Sequence, residues 1–321
     1  MLENKTLNFI DLFAGIGGIR IACEQAAKEM KMKTKCVFTS ELDKYCRQTY
    51  NNNFGLCNIN HDINEFQKDS EIKKNIPSHH LLLAGFPCQA FSHAGLKKGF
   101  EDTRGTLFFN ILKILQNKKP QMFLLENVAN LKGHDNGKTL KVMLRHLRED
   151  LNYFVPDPEI LNAKQFGLPQ NRRRIFIVGF KNRKLNFKFP VGCNKKTKVA
   201  DILEKGSKVN NYVISPKLWR SHKQRKKRNE DRGWGFGYSL VNKNCPHTRT
   251  LSARYYKDGS EILIDRGKNR EPRKLTPREC ANLQGFPKNF ILSESSVQAY
   301  KQFGNSVPIP VVKSIIREML R

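Results

Sequence analysis

The first 190 residues alternate short apolar segments with longer segments of helical periodicity, and this alternation constrains the fold more than any other feature of the sequence. The apolar segments are TLNFIDLF (6–13), KCVFTSE (35–41), HHLLLAGF (79–86), QMFLLEN (121–127) and RIFIVGF (174–180). Each is bounded by Gly, Pro or polar residues, as is typical of buried strands. Between them, GIRIACEQAAKEM (18–30) and TRGTLFFNILKILQN (103–117) have apolar residues at helical spacing. We predict an α/β fold, a mostly parallel doubly wound sheet with helices on both faces.

The pattern changes after residue 190. Residues 191–278 are basic and rich in Gly and Asn, with short strand-like pieces such as TRTLSARYY (248–256) and EILIDR (261–266). We interpret this region as a smaller, irregular, β-containing domain, followed by a hinge at 279–302. Helical periodicity returns in the tail, so residues 303–321 are assigned with 1–190 to the first domain.

The charge of the chain predicts a polyanionic partner. Lys and Arg number 58 against 29 Asp and Glu, a net charge of +29, and residues 191–278 hold 23 Lys and Arg against 8 Asp and Glu. Nucleic acid is the simplest such partner, and a generally basic proteome or a solubility device is the alternative. Within the segment SHKQRKKRNEDRGWGFGYS (221–239), Trp234 and Phe236 follow a basic run. Phosphates bind to such cations, and bases stack on such rings.

Other features argue against several classes of protein. The sequence has no run of 18 apolar residues, so we expect no membrane span, and its first residues lack the features of a secretory signal. Its eight cysteines form no CxxC pair and no zinc-binding spacing. We therefore expect reduced thiols, no metal and a cytoplasmic location.

Two motifs at strand ends suggest an adenosine ligand, because ligands of parallel sheets bind outside the carboxyl ends of the strands. The first strand runs into DLFAGIGGIR (11–20), whose glycines allow close approach of a ligand and open a helix. By itself this turn is compatible with an NAD site, a flavin site or a tight turn that binds nothing. The GxGxxG frame is missing, which argues against a dinucleotide. Glu41 ends the second strand, where its carboxylate could accept hydrogen bonds from ribose hydroxyls; a solvated surface carboxylate is the alternative.

Cys88 and Glu126 are candidate catalytic residues at two further strand ends. Cys88 follows Pro87 in GFPCQAFS (85–92), a strand-to-helix turn of the kind that lowers a thiol pKa; core packing is the alternative. Glu126 ends an apolar strand, where desolvation raises a carboxyl pKa and favours a neutral acid; a helix-capping Glu is the alternative. A thiolate and an acid at adjacent strand ends suit attack on an electron-poor ring.

Two arginines precede or enter the last strand of the first domain. Arg172 and Arg174 of GLPQNRRRIFIVGF (167–180) alternate with Arg173, so we expect them to share one face. Two guanidinium groups on one face can hold a phosphate or a base carbonyl.

Six ordered motifs together resemble the cytosine-5 DNA methyltransferases. They are DLFAGIGG, GFPCQAFS, ENV, PQNRRR, RKLTPRECANLQGFP and KQFGNSVPIPVV, and only about 191–270 lies outside the resemblance. The compact length resembles bacterial modification methylases. The resemblance implies a Rossmann-like fold and methyl transfer from S-adenosyl methionine to carbon 5 of a cytosine in a specific duplex DNA sequence. It also implies a protective role in a restriction-modification system.

The resemblance assigns roles to residues of this chain. Cys88 would attack carbon 6 of cytosine, Glu126 would contact ring nitrogen N3 and the exocyclic amine, and Arg174 would hold the base carbonyl, with Arg172 nearby on phosphate or base. For the methyl donor, Phe13 would lie against the adenine, Glu41 would bind the ribose hydroxyls and Asp62 the adenine amine. The rest of that site would comprise Gly15, Gly17, Gly18, Ile63, Gly85, Pro87, Leu107, Asn305 and Ser306. Family members often have a large aromatic residue after the acidic one, where this chain has Leu42.

The resemblance also implies DNA contacts. Enzymes that modify a base within a duplex flip it out, at a cost of roughly a few kcal/mol. Thr250 matches the Thr-Leu pair of the family's target-recognition domain, and the loop HAGLKKGFEDTRG (93–105) would close over the flipped base. The candidate DNA-binding residues are Gln89, Ser92, Trp234, Phe236, Arg249, Thr250 and Arg254.

Three alternatives remain open at this point. One is a methylase of the same family acting on transfer RNA, although the short CFT element of such members is missing from the target domain. Another is a catalytically inactive binding module that keeps the fold. The third, which only the glycine turn suggests, is a nucleotide-dependent oxidoreductase. For the DNA methylase we expect a monomer that acts on duplex DNA, accompanied by a restriction endonuclease acting independently.

Overall fold

The computed structural model describes residues 6–55, 59–60, 62–66, 68–87, 107–183, 185–193 and 195–321. The chain divides into two compact units, one spanning residues 1–161, 173–191 and 312–321, the other 162–172 and 192–311. Residues 279–302, which the sequence analysis assigned to a hinge, fall within the second unit. Within this unit, Arg273 and Glu279 form a buried ion pair, with Arg273 Nη1 2.7 Å from Glu279 Oε2.

The first unit contains a sheet that has seven strands within the described residues. The strands are β1 (Leu7–Leu12), β2 (Thr34–Ser40), β3 (Ile59–Asn60), β4 (Leu81–Gly85), β5 (Met122–Val128), β6 (Glu159–Asn162) and β7 (Arg173–Phe180), in the order β3-β2-β1-β4-β5-β7-β6. The pairs β2–β3, β1–β2, β1–β4 and β4–β5 are parallel, and β7 runs antiparallel to β5. The predicted α/β fold with a mostly parallel sheet is confirmed.

Helices connect these strands. They are α1 (Gly18–Glu29), α2 (Lys44–Phe54), α3 (Asp69–Asn75), α4 (Leu107–Lys118) and α5 (Lys138–Arg145). Of these, α1 and α4 correspond to the two segments whose periodicity predicts a helix. Alternate residues of a strand point to opposite faces of the sheet. Ile10 and Leu12 of β1 therefore pack into the core cluster that includes Phe108 and Leu112 of α4, whereas Asp11 points to the other face and is 0 % exposed.

The second unit has short strands and several helices. Its elements are α6 (Pro216–Asp231), β8 (Leu240–Val241), α7 (Tyr255–Asp258), β9 (Leu263–Ile264), α8 (Pro277–Gln284) and α9 (Ser296–Asn305), and α10 (Ile309–Met319) begins in this unit. The prediction of strand-like structure for 248–256 is wrong. Tyr255 begins α7, where it is fully buried, and its hydroxyl donates to the Ile262 carbonyl and accepts from the Leu275 N–H.

None of the helices in the described ranges is both long enough and apolar enough to cross a lipid bilayer.

Candidate active site

Glu126 and Arg174 form an ion pair near the carboxyl ends of the central parallel strands. Glu126, near the end of β5, pairs in register with Gly85 of β4 and Phe176 of β7. Its Oε1 lies 3.0 Å from Arg174 Nε, and the two side chains are 10 % and 14 % exposed. Such a partly desolvated pair holds the carboxylate in one orientation. The pair therefore places a carboxyl group and a hydrogen-bond donor side by side.

The strand end next to Glu126 leaves little room for larger side chains. A Cβ atom at Gly85 would lie 3.5 Å from Glu126 Oε2 and 3.3 Å from Ile19 Cδ1. The distance to Ile19 is tighter than an ordinary contact, whereas the distance to the carboxylate is ordinary, so a side chain at position 85 would require Ile19 to shift.

Asn127 is a site residue that the sequence analysis did not single out. Its Nδ2 donates to the Phe86 carbonyl at 3.0 Å, and both residues are buried. This bond fixes the chain just before Pro87, the exposed residue that leads to Cys88. The sequence feature that could have identified Asn127 is its position directly after Glu126, as a second polar residue at the end of an apolar run. Cys88, Gln89 and Ser92 lie outside the described residues.

The glycine turn after β1 adopts backbone conformations that favour glycine. Gly15 and Gly17 have φ values of 55° and 83°, and Phe13 also has a positive φ of 55°. A Cβ atom at Gly17 would lie 2.3 Å from Phe54 Cε2 of α2. Position 17 therefore requires glycine for both backbone and packing reasons, and the turn runs directly into Gly18, the first residue of α1.

Glu41 connects the glycine turn to the end of β2. Its Oε2 accepts from the Gly15 N–H at 2.7 Å and its Oε1 from the Asp43 N–H at 2.8 Å. Burial raises the pKa of Glu41, and these two N–H groups oppose that shift. Each carboxylate oxygen has a second lone pair, so both can also accept from a diol. Leu42, the next residue, is 69 % exposed despite being apolar.

The remaining predicted residues of the first unit have structural partners. Asp62 Oδ1 accepts from the Asn64 backbone N–H at 2.8 Å and side-chain amide at 2.9 Å, which caps the short turn Ile63–Glu65. Ile63 is buried in the core, and Leu107, the first residue of α4, packs against the same core.

The hydrogen-bond partners of Arg172 differ from the ion-pair partner of Arg174. Arg174 lies on β7 in the first unit, whereas Arg172 precedes that strand and belongs to the second. Arg172 is 1 % exposed, and its guanidinium donates to the carbonyls of Leu251, Gly304 and Ser306. These three partners are backbone carbonyls, whereas the sequence suggested a phosphate or a base.

The second unit presents an exposed aromatic pair beside cations. Trp234 and Phe236 are 47 % and 62 % exposed, and their rings stack with centroids 5.5 Å apart and planes 19° apart. The Arg232 guanidinium lies 5.4 Å from the centre of the Trp234 ring. Arg249 Nη1 donates to the Gly237 carbonyl at 3.0 Å, which ties this loop to the predicted recognition segment.

Other predicted residues of the second unit lie in loops or at the ends of helices. Thr250 Oγ1 donates to the Asn171 carbonyl at 2.6 Å. Arg254 is exposed just before α7, and Asn305 is exposed at the end of α9, followed by the half-buried Ser306. Over the described ranges, no group of three or more His, Cys, Asp or Glu side chains could hold a metal ion.

Comparison with known proteins places these features in one family. Residues 7–321 match the model of the C-5 cytosine-specific DNA methylases. The chain is 52 % identical to the type II methyltransferase M.DsaV of Dactylococcopsis salina, covering 99 % of this chain and 87 % of that protein, and 54 % identical to M.NlaX of Neisseria lactamica, covering 97 % and 95 %. The fold resembles the Dnmt2 methyltransferase of S. pombe, with a TM-score of 0.76, 20 % identity and 98 % of each chain covered. The chain therefore belongs to the C-5 cytosine-specific DNA methylase family and is a DNA (cytosine-5)-methyltransferase.

Proposed function

We propose that this methyltransferase uses S-adenosyl methionine as its methyl donor and acts through a transient bond between Cys88 and carbon 6 of a flipped-out cytosine. The observation that carries the proposal is the Glu126–Arg174 pair at the carboxyl edge of the sheet. Asn127, next to Glu126, holds the carbonyl of Phe86 and so supports the segment that leads to Cys88.

The residues around the glycine turn fit the proposed donor. The positive φ and the open space beside Gly15 leave the backbone there accessible to close approach, and Glu41 has lone pairs for the ribose hydroxyls. Exposed Leu42 would cover one face of the adenine with an apolar side chain, in place of an aromatic ring. S-adenosyl methionine supplies a methyl group made electrophilic by its cationic sulfur.

The other proposed contacts to the donor follow the family pattern. Phe13 would lie against the adenine, and Asp62 would accept from the adenine amine while its Oδ1 caps the turn at 63–65. The proposed contacts in the rest of this site are Gly18, Ile63, Gly85, Pro87, Leu107, Asn305 and Ser306.

The proposed chemistry assigns one task to each side chain. The Cys88 thiolate forms a bond to carbon 6, and the ring electrons move toward N3, where Glu126 donates a proton. Arg174, held against Glu126, donates to the base carbonyl oxygen. Carbon 5 becomes nucleophilic and accepts the methyl group. Loss of the carbon 5 proton to a base then restores the ring as the bond from carbon 6 to sulfur breaks.

We assign DNA binding chiefly to the second unit. Its basic residues would neutralise phosphates, and Thr250 with Arg249 and Arg254 would contact the target sequence. Trp234 and Phe236 would fill the space that the flipped base leaves, because exposed rings can stack on neighbouring bases. Gln89 and Ser92 would also contact DNA.

The biological setting belongs to the same proposal. The names of the relatives favour a protective methylase of a restriction-modification system, with a cognate endonuclease acting independently. The enzyme would act as a monomer in the bacterial cytoplasm, where its duplex substrate lies.

Methyl-transfer assays test the proposal directly. With radiolabelled S-adenosyl methionine, we expect label in duplex DNA and none in transfer RNA. Cys88→Ser should bind duplex DNA without transferring label, whereas Cys193→Ser, which removes an exposed thiol of the second unit, should remain active. Label in RNA only, or full activity of Cys88→Ser, would overturn the proposal.

A further inference from the structure

The buried guanidinium of Arg172 joins two segments that are distant in sequence. Its Nη1 donates to the Leu251 carbonyl at 2.8 Å, and its Nη2 to the Gly304 carbonyl at 3.0 Å and to the Ser306 carbonyl. These acceptors lie 79, 132 and 134 residues away along the chain. At 1 % exposure, the side chain is a fixed internal cross-link of the second unit.

The first of these segments contains the proposed recognition residue Thr250. Backbone and side-chain bonds align it with the residues before Arg172: the Asn171 N–H donates to the Thr248 carbonyl at 2.9 Å, and Thr250 Oγ1 donates to the Asn171 carbonyl at 2.6 Å. Gln170 Oε1 accepts from the Leu251 N–H at 3.0 Å. The recognition segment is therefore placed by the chain at 170–172.

The second segment is the end of α9, where Asn305 and Ser306 are proposed to contact the methyl donor. Gly304 packs there against the backbone of the recognition segment, since a Cβ atom at this position would lie 2.3 Å from the carbonyl carbon and oxygen of Ser252. Arg172 thus connects two segments that are already in van der Waals contact, and leaves little freedom for one to move without the other.

We propose that Arg172 is a positioning residue that couples the DNA-recognition segment around Thr250 to the donor-binding turn at Asn305 and Ser306. The inference rests on the proposed function, which assigns these two segments to DNA and to the methyl donor. A guanidinium suits this task because its planar, forked donors reach several acceptors at once, whereas a Lys ammonium is a compact point charge.

The competing role for Arg172 is a phosphate contact, and the salt dependence of DNA binding separates the two. A lost phosphate contact lowers the slope of log K against log salt by about 1, whereas lost positioning leaves that slope unchanged. A lost phosphate contact also leaves donor affinity unchanged, whereas lost positioning weakens it.

The experiment compares full-length Arg172→Gln with Arg173→Gln, which removes the same charge at the adjacent exposed position. Calorimetry gives the Kd for S-adenosyl methionine, and fluorescence anisotropy on a mixed-sequence duplex between about 50 and 200 mM salt gives the slope. We expect Arg172→Gln to weaken donor binding about tenfold or more without changing the slope. Arg173→Gln should retain donor affinity. A slope reduced by about 1 with normal donor affinity would overturn the proposal.

Gly304→Ala provides a second test in which the Arg172 side chain is intact. The added methyl group pushes the end of α9 away from Ser252, so donor affinity should again fall while the DNA salt slope stays the same. Normal donor affinity in this variant would contradict the coupling. Failure of the proposed function itself would be visible separately, because the wild-type protein would then not bind S-adenosyl methionine.

Discussion

Replacing Asp11 by Asn should change how the stability of the protein depends on pH. Asp11 is fully buried in β1, and neither carboxyl oxygen has a hydrogen-bond partner among the described residues. Burial raises the pKa of Asp11 from 3.8 to about 8; Arg20 opposes the shift, and Glu41 and Glu24 add to it. The carboxyl is therefore neutral at pH 7 in the folded protein and ionised in the unfolded chain.

The size of the effect follows from proton linkage. Between the unfolded pKa of 3.8 and the folded pKa of about 8, the folded state keeps a proton that the unfolded state has released. The free energy of unfolding therefore falls by about 1.4 kcal/mol for each unit of rising pH, which gives about 3 kcal/mol between pH 5 and pH 7. Above about pH 8 the folded carboxyl ionises as well and the decline ends. Asn has a similar shape and no titration, so the variant lacks this contribution.

Urea unfolding of both proteins at pH 5, 6, 7 and 8 measures the difference. We expect the stability of Asp11→Asn relative to wild type to increase by about 2–3 kcal/mol from pH 5 to pH 7, a large part of a typical total of about 5–15 kcal/mol. Asp231→Asn, at an exposed position, should follow the wild-type profile. Parallel profiles for wild type and Asp11→Asn would refute the reasoning.

Three further predictions concern the site and the DNA surface. Glu126→Gln should lower kcat about 10²–10⁴-fold with little change in duplex affinity, as measured by single-turnover transfer, because the amide cannot supply the proton; a normal rate would contradict this role. Gly17→Ala should destabilise the protein by about 1–3 kcal/mol in thermal unfolding, since its Cβ would lie 2.3 Å from Phe54; an unchanged melting temperature would argue against the packing described. Alanine at both Trp234 and Phe236 should weaken duplex binding in anisotropy by about 1–3 kcal/mol per stacked base without changing its salt slope, and unaltered affinity would remove the pair from the interface.

The sequence predicted most of the central sheet because buried strands leave a clear apolar signal. The segments 6–13, 35–41, 79–86, 121–127 and 174–180 correspond to β1, β2, β4, β5 and β7 within two residues at each end. Strands β3 and β6 have two and four residues, too few for an apolar run to be recognised.

Local signals placed some candidate residues, and tertiary partners determine the surroundings of others. Glu41 and Glu126 could be placed near strand ends because each carboxylate follows an apolar run. The bonds of Asn127 and Arg172 could not be predicted, since their partners Phe86 and Gly304 lie 41 and 132 residues away. The expectation that Arg172 and Arg174 share one face rested on strand alternation, and Arg172 lies before β7 begins.

The transient bond between Cys88 and cytosine is tested most directly with duplex DNA that contains 5-fluorocytosine in a methylatable site. Fluorine at carbon 5 blocks the final loss of a proton, so the bond at carbon 6 cannot break after methyl transfer. With S-adenosyl methionine present, we predict a complex that survives denaturation, in which peptide mass spectrometry locates the base on Cys88, and no complex for Cys88→Ser. Methyl transfer without a stable complex, or a base attached to another cysteine, would contradict the account.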